Sequence, residues 1–158
     1  MRVGWGFDAH PLDGDPPLKL GGVVVSDSVG VSATSDGDVL AHAVTDALLG
    51  ACVLGDIGQL FPSDDPALVD ADSMGLLRQV VTMALAVHWR PVHVDVTVVA
   101  EHVRVAPHRD AIRSSLSGAI DLEIDDVSVK ATTTDGLGFI GKGEGVAAIA
   151  VVTVEALP

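Results

Sequence analysis

The chain has 158 residues, of which 48% are hydrophobic and 20% charged. This length fits a single globular domain over residues 1–158, and this composition excludes an intrinsically disordered chain. The formal net charge of −13 argues against a nonspecific nucleic-acid or anionic-membrane binder, because phosphates would be repelled. The single cysteine, Cys52, excludes an intrachain disulfide and fits a cytoplasmic protein. No apolar run approaches the length of a membrane span.

Apolar periodicity and turn residues predict six strands and three helices. Gly21-Gly22 indicates a tight hairpin, Ser73 is a plausible helix N-cap, and glycines mark a long loop over 133–145. Glycine and proline residues, which interrupt regular secondary structure, indicate a further loop over 55–66. In chain order, the predicted elements are strand Arg2–Phe7, hairpin strands Leu18–Leu20 and Val23–Val25, helix Val39–Val53, helix Met74–Val87, strand Pro91–Ala100, helix Pro107–Gly118, strand Val127–Thr132 and strand Val146–Glu155.

This order of elements predicts an α+β fold, a mixed β-sheet with helices on one face. The last strand, Val146–Glu155, is apolar on both faces. Helices on one side cannot bury its other side, so we expect a homo-oligomer that packs sheet against sheet.

A metal site is predicted where Asp8 and His10 follow the first strand, because side chains two residues apart in an extended chain point the same way. His42 lies on the first predicted helix, with Asp38 and Asp46 four residues away on the same face, where one could orient the imidazole. Two histidines, one carboxylate and an open position describe a catalytic zinc site. A surface aspartate or a hydrogen-bonded histidine remains the alternative for each residue.

Two polar loops carry groups suited to phosphate and its metals. Ser35-Asp36-Gly37-Asp38 concentrates carboxylates, which divalent cations would offset, although helix capping also explains it. The run Lys130–Asp135 ends a strand before the glycine-rich loop, so its hydroxyls and N–H groups could wrap phosphate oxygens. Asp135 could take a second metal, and Lys142 could add positive charge; an ordinary Thr-rich strand followed by a turn is the alternative.

Taken together, these segments resemble the 2-C-methyl-D-erythritol 2,4-cyclodiphosphate synthases of non-mevalonate isoprenoid biosynthesis. The resemblance covers essentially the whole chain, in order and at the family's spacing. The segments that carry it are Gly6–His10, Ser35–Ala43, Thr45–Gly50, Leu54–Pro62, Asp65-Pro66, Asp72-Ser73, Val127–Asp135 and Leu137–Gly145.

The resemblance implies a homotrimer with sheets facing a central core and active sites between neighbouring subunits. It implies that Asp8, His10 and His42 bind Zn²⁺, that Asp135 meets a second divalent cation, Mg²⁺ or Mn²⁺, and that Thr133 stabilises the transition state. The positions that match the methylerythritol phosphate segments are Asp56, Ile57, Gly58, Phe61, Pro62, Ser63, Asp64 and Asp65. The positions that match the cytidine pocket, supplied by the adjacent subunit, are Ala100, Arg104, Val105, Ala106, Ala131 and Thr132, and Lys142 falls near the trimer axis. Further positions expected to bind substrate are Ser35, Thr134 and Phe139.

Several residues depart from the family pattern. Thr34 stands where the family usually has a His that helps to polarise the phosphates, and Asp135 replaces a usual Glu. Arg104 replaces a common Lys, Val103 a common Pro, and Lys142 a common Arg.

The reaction that the resemblance implies is cyclisation of 4-diphosphocytidyl-2-C-methyl-D-erythritol 2-phosphate with release of CMP. The alternatives are a zinc-dependent phosphohydrolase and a noncatalytic trimer that binds an isoprenoid diphosphate.

Overall fold

The computed structural model describes residues 1–158 and contains six strands, five α-helices and three short 3₁₀ turns. The strands are β1 (Arg2–Pro11), β2 (Leu18–Leu20), β3 (Val23–Ser26), β4 (Trp89–Val99), β5 (Val127–Thr132) and β6 (Gly145–Ala156). The helices are α1 (Val39–Cys52), α2 (Ile57–Leu60), α3 (Ser73–Ala86), α4 (Arg109–Ile120) and α5 (Gly138–Gly141). None of these helices combines the length and apolar character needed to cross a membrane.

The main sheet has four strands in the order β1-β6-β4-β5, and β2 and β3 form a separate hairpin. Strand β6 runs antiparallel to both β1 and β4, whereas β4 and β5 are parallel. The parallel pair needs a crossover, which α4 supplies between β4 and β5. The predicted mixed sheet in an α+β fold is therefore confirmed.

The three long helices α1, α3 and α4 cover one face of the sheet. Alternate residues of β6 (Val146, Ala148, Ala150, Val152, Val154) point into the core beneath them and are almost fully buried. Full burial of each valine contributes about 1.5–3 kcal/mol, and burial of each alanine methyl group about 0.8 kcal/mol. The hydrophobic core is thus a single layer between the sheet and its helices.

The opposite face of the sheet carries no helix and exposes large apolar side chains. Val3, Trp5 and Phe7 alternate along β1 and are 66%, 63% and 47% exposed, and the Trp5 and Phe7 rings are stacked. Ile149 and Val151 continue this surface on β6, where they are only half-buried. The prediction that β6 is apolar on both faces is confirmed for the single chain.

Several local features differ from the sequence prediction. The loop predicted over 55–66 contains the helical turn α2, because the Asp56 side chain accepts a hydrogen bond from the Gln59 N–H and caps it. The N-cap of α3 is Asp72 rather than Ser73, since the Asp72 side chain accepts from the Met74 N–H. The loop predicted over 133–145 includes the short helix α5.

Strand β1 extends to Pro11, beyond the predicted Phe7, because its pairing with β6 continues to that residue. This extension keeps Asp8 and His10 in the alternating pattern of the strand. Both side chains therefore lie on the helix-covered face, below α1.

Candidate metal centre and substrate cavities

Asp8, His10 and His42 meet where the end of β1 passes under α1. Asp8 Oδ2 lies 2.9 Å from both His10 Nε2 and His42 Nδ1, and the two ring nitrogens are 3.3 Å apart. All three side chains are half-buried. The sequence prediction that these residues form one cluster is confirmed.

The donor set fits a zinc ion. Zn²⁺ bonds of about 2.0–2.1 Å to nitrogen and oxygen in tetrahedral geometry separate neighbouring ligand atoms by about 3.3 Å. The triangle of 2.9, 2.9 and 3.3 Å comes close to that spacing. Two imidazoles and one carboxylate leave the fourth position open toward a cavity, as in catalytic rather than structural zinc sites.

The Asp8 carboxylate is in the charged form that binds a cation. Burial by itself would raise the pKa of Asp8, but hydrogen bonds and positive charge from His10 and His42 hold the pKa well below its usual value. Asp8 is therefore ionised near neutral pH, and a metal ion that replaces the histidine protons meets a charged ligand.

On the side of its Nε2 atom, His42 is hydrogen-bonded to two serines and not to Asp38 or Asp46. His42 Nε2 lies 2.8 Å from Ser73 Oγ and 3.2 Å from Ser35 Oγ. From the sequence, Ser73 is interpreted as a helix cap and as part of a segment shared with a known family, and no local pattern would have paired it with a residue 31 positions away.

Asp38 and Asp46 hydrogen-bond to the backbone instead. The buried Asp38 carboxylate accepts from the N–H groups of Ala41, Gly21 and Gly22 at 3.0, 2.9 and 2.6 Å, so it caps α1 and fixes the β2–β3 turn. Asp46 Oδ1 accepts from the Ile57 N–H at 2.8 Å. Both carboxylates hold backbone segments that surround the site, and neither is hydrogen-bonded to the His42 imidazole that one of them was expected to orient.

A cavity of about 610 Å³ opens beside the three ligands. Its wall contains no Lys or Arg, so an anionic group entering it would depend on a bound cation. The Thr34 hydroxyl donates to the Ser63 carbonyl oxygen at 3.1 Å and joins two sides of the opening. The predicted site residues in this wall are Asp8, His10, Thr34, Ser35, His42, Ile57, Gly58, Phe61, Pro62, Ser63 and Asp64.

A second cavity, of about 690 Å³, lies at the ends of the parallel strands β4 and β5. It contains two guanidinium side chains, Arg104 and Arg109, and the Ala100 N–H donates to the Thr132 carbonyl to hold its strands together. The predicted site residues that line it are Ala100, Arg104, Val105, Ala106, Ala131, Thr132 and Thr133.

The remaining predicted residues lie around these two cavities. Thr134 and Phe139 line a third, apolar depression, and the Thr134 N–H donates to Glu101, a residue that sequence reasoning did not single out. Asp135 lies 3.3 Å from the Thr133 hydroxyl, within the turn that follows β5. Asp56, Asp65, Asp135 and Lys142 line none of the three cavities.

Comparison with known proteins gives a consistent result. The YgbB family profile matches residues 1–155. The 2-C-methyl-D-erythritol 2,4-cyclodiphosphate synthase of Halorhodospira halophila is 50% identical over 100% of this chain and 98% of its own length. The synthase of Shewanella denitrificans is 50% identical over 98% of this chain and 97% of its own.

Solved structures share the fold. The bifunctional IspDF protein of Campylobacter jejuni superposes with a TM-score of 0.96 at 40% identity, and the match covers 99% of this chain but 42% of that one. The IspF protein of Plasmodium falciparum, solved in complex with CDP, gives a TM-score of 0.86 at 30% identity over 99% of this chain and 97% of its own. This chain belongs to the YgbB family, the family of the 2-C-methyl-D-erythritol 2,4-cyclodiphosphate synthases.

Proposed function

We propose that this chain converts 4-diphosphocytidyl-2-C-methyl-D-erythritol 2-phosphate into 2-C-methyl-D-erythritol 2,4-cyclodiphosphate and CMP. It is then a phosphorus–oxygen lyase of non-mevalonate isoprenoid biosynthesis. Relatives that are 50% identical over nearly their whole length indicate this activity. The single observation that carries the proposal is the Asp8–His10–His42 cluster at the mouth of the 610 Å³ cavity.

The chemical problem of this reaction is electrostatic. The 2-phosphate attacks the β-phosphorus of the diphosphate, and the P–O bond to CMP breaks, so one anion approaches another. The nucleophile is already ionised near neutral pH, and no strong general base is required. Bound at Asp8, His10 and His42, a Zn²⁺ ion would supply Lewis-acid charge to the phosphate oxygens.

The residues of the chain supply the rest by positioning. Segment 56–58, at the start of α2, and loop 61–65 would hold the methylerythritol phosphate part beside the metal ligands, and Thr34 is hydrogen-bonded to this loop at Ser63. Holding the two ends of one molecule together can lower the barrier by several kcal/mol, up to about 7–11 in well-oriented systems. Folding of the substrate is therefore the main task of this cavity.

The cytidine end would bind in the second cavity, where Arg104 and Arg109 offset the diphosphate charge. The CDP complex of the Plasmodium falciparum relative supports a CDP-linked ligand. Thr133 would stabilise the transition state, and Asp135 would hold a second divalent cation, Mg²⁺ or Mn²⁺, on the diphosphate. The other cytidine-side contacts would come from Ala100, Val105, Ala106, Ala131, Thr132, Thr134, Phe139 and Lys142.

The active unit would be a homotrimer. The metal centre and the arginine-containing cavity are separate on one chain, so a neighbouring chain could bring its arginine cavity to this metal centre. The exposed apolar face around Val3, Trp5 and Phe7 supplies the surface that such an assembly would bury. We also propose a cytoplasmic location, which the buried, unpaired Cys52 fits.

³¹P NMR of the purified protein with the cytidyl-diphosphate substrate, Zn²⁺ and Mg²⁺ tests this function. Two coupled diphosphate signals and stoichiometric CMP are expected. Inorganic phosphate or an open-chain diphosphate would indicate a hydrolase instead. An unchanged spectrum from zinc-loaded protein would indicate a binding protein without turnover.

A further inference from the structure

His42 is held from both of its ring nitrogens, and the two sides differ in chemistry. Nδ1 faces the Asp8 and His10 ligand atoms, whereas Nε2 lies 2.8 Å from Ser73 Oγ. Ser73 is the first residue of α3 and is completely buried. Its hydroxyl is also 2.5 Å from Asp36 Oδ1. A continuous chain of short contacts therefore runs from Asp36 through Ser73 to the imidazole.

The hydrogen bonds along this series of contacts show which ring nitrogen of His42 must carry a proton. An ionised carboxylate only accepts hydrogen bonds, so the single Ser73 hydroxyl proton is donated to Asp36. Lys19 Nζ, 3.6 Å from the other Asp36 oxygen, matches a negative charge there. Ser73 Oγ can then only accept from His42, so Nε2 carries a proton, and Nδ1, which faces Asp8 and His10, is the nitrogen left to bind a cation in place of its own proton.

We propose that Ser73, held by Asp36, is a positioning residue for metal binding at His42. Its hydroxyl oxygen accepts a hydrogen bond from the Nε2–H group and so holds the ring in the orientation that presents Nδ1 to a cation. Metal-ligating histidines commonly use a carboxylate or carbonyl for this purpose, and here a serine hydroxyl connects the imidazole to the carboxylate. This inference rests on the zinc site of the proposed function.

The surroundings of Ser73 explain why this hydroxyl cannot be replaced by solvent. The side chain is fully buried, so its removal leaves Nε2–H with only the longer contact to Ser35, at 3.2 Å. Without the Ser73 hydroxyl, the His42 ring can rotate and exchange tautomers. In part of the molecules an N–H group then points toward Asp8 and His10. Zinc affinity should fall while the fold is retained.

The first test is the zinc dissociation constant of the full chain, measured by competition with a chromophoric chelator. Ser73→Ala should weaken zinc binding about 10–100-fold, the range seen when such hydrogen-bond partners are removed. Asp36→Asn should weaken it less, because an amide oxygen can still accept from Ser73. Ser114→Ala, on the exposed side of α4, is the matched control and should bind zinc like the wild type.

The second test separates positioning from general destabilisation. In zinc-loaded wild-type protein with ¹⁵N-labelled histidine, His42 should show metal at Nδ1 and a slowly exchanging proton at Nε2. Ser73→Ala should lose that protected proton. Unchanged zinc affinity and an unchanged His42 spectrum in Ser73→Ala would overturn the inference and leave the proposed zinc site standing. If the wild-type chain bound no zinc, both this inference and the proposed zinc site would be overturned.

Discussion

Gly6 on β1 lies directly against Ala43 on α1, so closely that a Cβ atom built on the glycine would be 2.0 Å from the Ala43 carbonyl oxygen. Ala43 follows His42 in sequence, and Gly6 precedes Asp8 by two residues on the same face of β1. The close packing of helix on strand therefore sets the distance between the metal ligands of the two elements. A larger residue at position 6 would move them apart.

Gly6→Ala should destabilise the protein and weaken zinc binding together. The added methyl group would also meet the Ala47 backbone nitrogen at 2.6 Å, and backbone atoms cannot rotate away. Overpacking of this kind costs about 3 kcal/mol. Chemical denaturation and zinc titration measure the two effects.

Gly50→Ala is the matched control within α1. No heavy atom lies within 4 Å of its added Cβ, so the variant should be more stable by up to about 1 kcal/mol through helix propensity. If Gly6→Ala kept wild-type stability and zinc binding, the close packing of Gly6 against Ala43 would not set the distance between the metal ligands.

His42→Ala and Asp8→Asn should abolish turnover without unfolding the chain. Each removes one of three metal ligands at a half-buried site, so bound zinc, measured by elemental analysis, should fall below stoichiometry. His88→Asn is a suitable control because His88 is exposed and has a positive φ of 64°, which Asn tolerates. Full activity of either ligand variant would refute the metal assignment.

Asp8 and His10 could be placed together from the sequence because side chains two residues apart share a face of an extended strand. His42 could be placed on a helix, but its union with these two ligands rested on the resemblance to a known family. Ser73 could not be predicted in this way, because its contact with His42 depends on how α3 packs beside α1. A hydrogen bond between distant elements leaves no pattern in a single sequence.

The short helices could not be predicted from the sequence, and for the buried Asp38 the sequence offered helix capping only as one of several explanations. A four-residue helix such as α2 or α5 has no measurable period, and its formation depends on one cap or one turn. Asp38 has the spacing expected for a partner of His42, yet its carboxylate satisfies three backbone N–H groups. Helical spacing gives the face of a residue but not the direction of its side chain.

Thr34→Val should raise KM about 3–10-fold with a smaller change in kcat. The substitution keeps the shape of the side chain but removes the hydroxyl that donates to the Ser63 carbonyl, a neutral hydrogen bond worth about 1 kcal/mol. Loop 61–65 would then be held less firmly before substrate binds. Steady-state kinetics measure the changes in KM and kcat separately.

Thr34→Ser, which keeps the hydroxyl, is the control and should retain the wild-type KM. If Thr34→Val lowered kcat alone, the hydroxyl would act on the reacting phosphates and not on the loop.

Asp38→Ala should lower the free energy of unfolding by about 3 kcal/mol or more. It removes the N-cap of α1 and leaves the N–H groups of Gly21, Gly22 and Ala41 without their acceptor, at about 1–3 kcal/mol for each buried group. Asp38→Asn should cost less, because one amide oxygen still accepts. Urea denaturation gives both values.

Asp110→Ala provides the comparison for this experiment. Its side chain is 93% exposed and 3.8 Å from Arg113, so the free energy of unfolding should change by less than about 0.5 kcal/mol. An equal effect of the two alanine variants would contradict the structural role of Asp38.

Trp5→Asp should convert the proposed trimer into monomers that still bind zinc but do not turn over substrate. Trp5 is 63% exposed on the helix-free face of β1, opposite Asp8 and His10, so a charge there would oppose burial between sheets without touching the metal ligands. Sedimentation velocity and elemental analysis measure the two properties. Val53→Asp, at a 78% exposed residue on the helix side, should leave the assembly intact. An active monomeric wild type, or a trimeric Trp5→Asp variant, would contradict the proposal that this face forms the subunit interface.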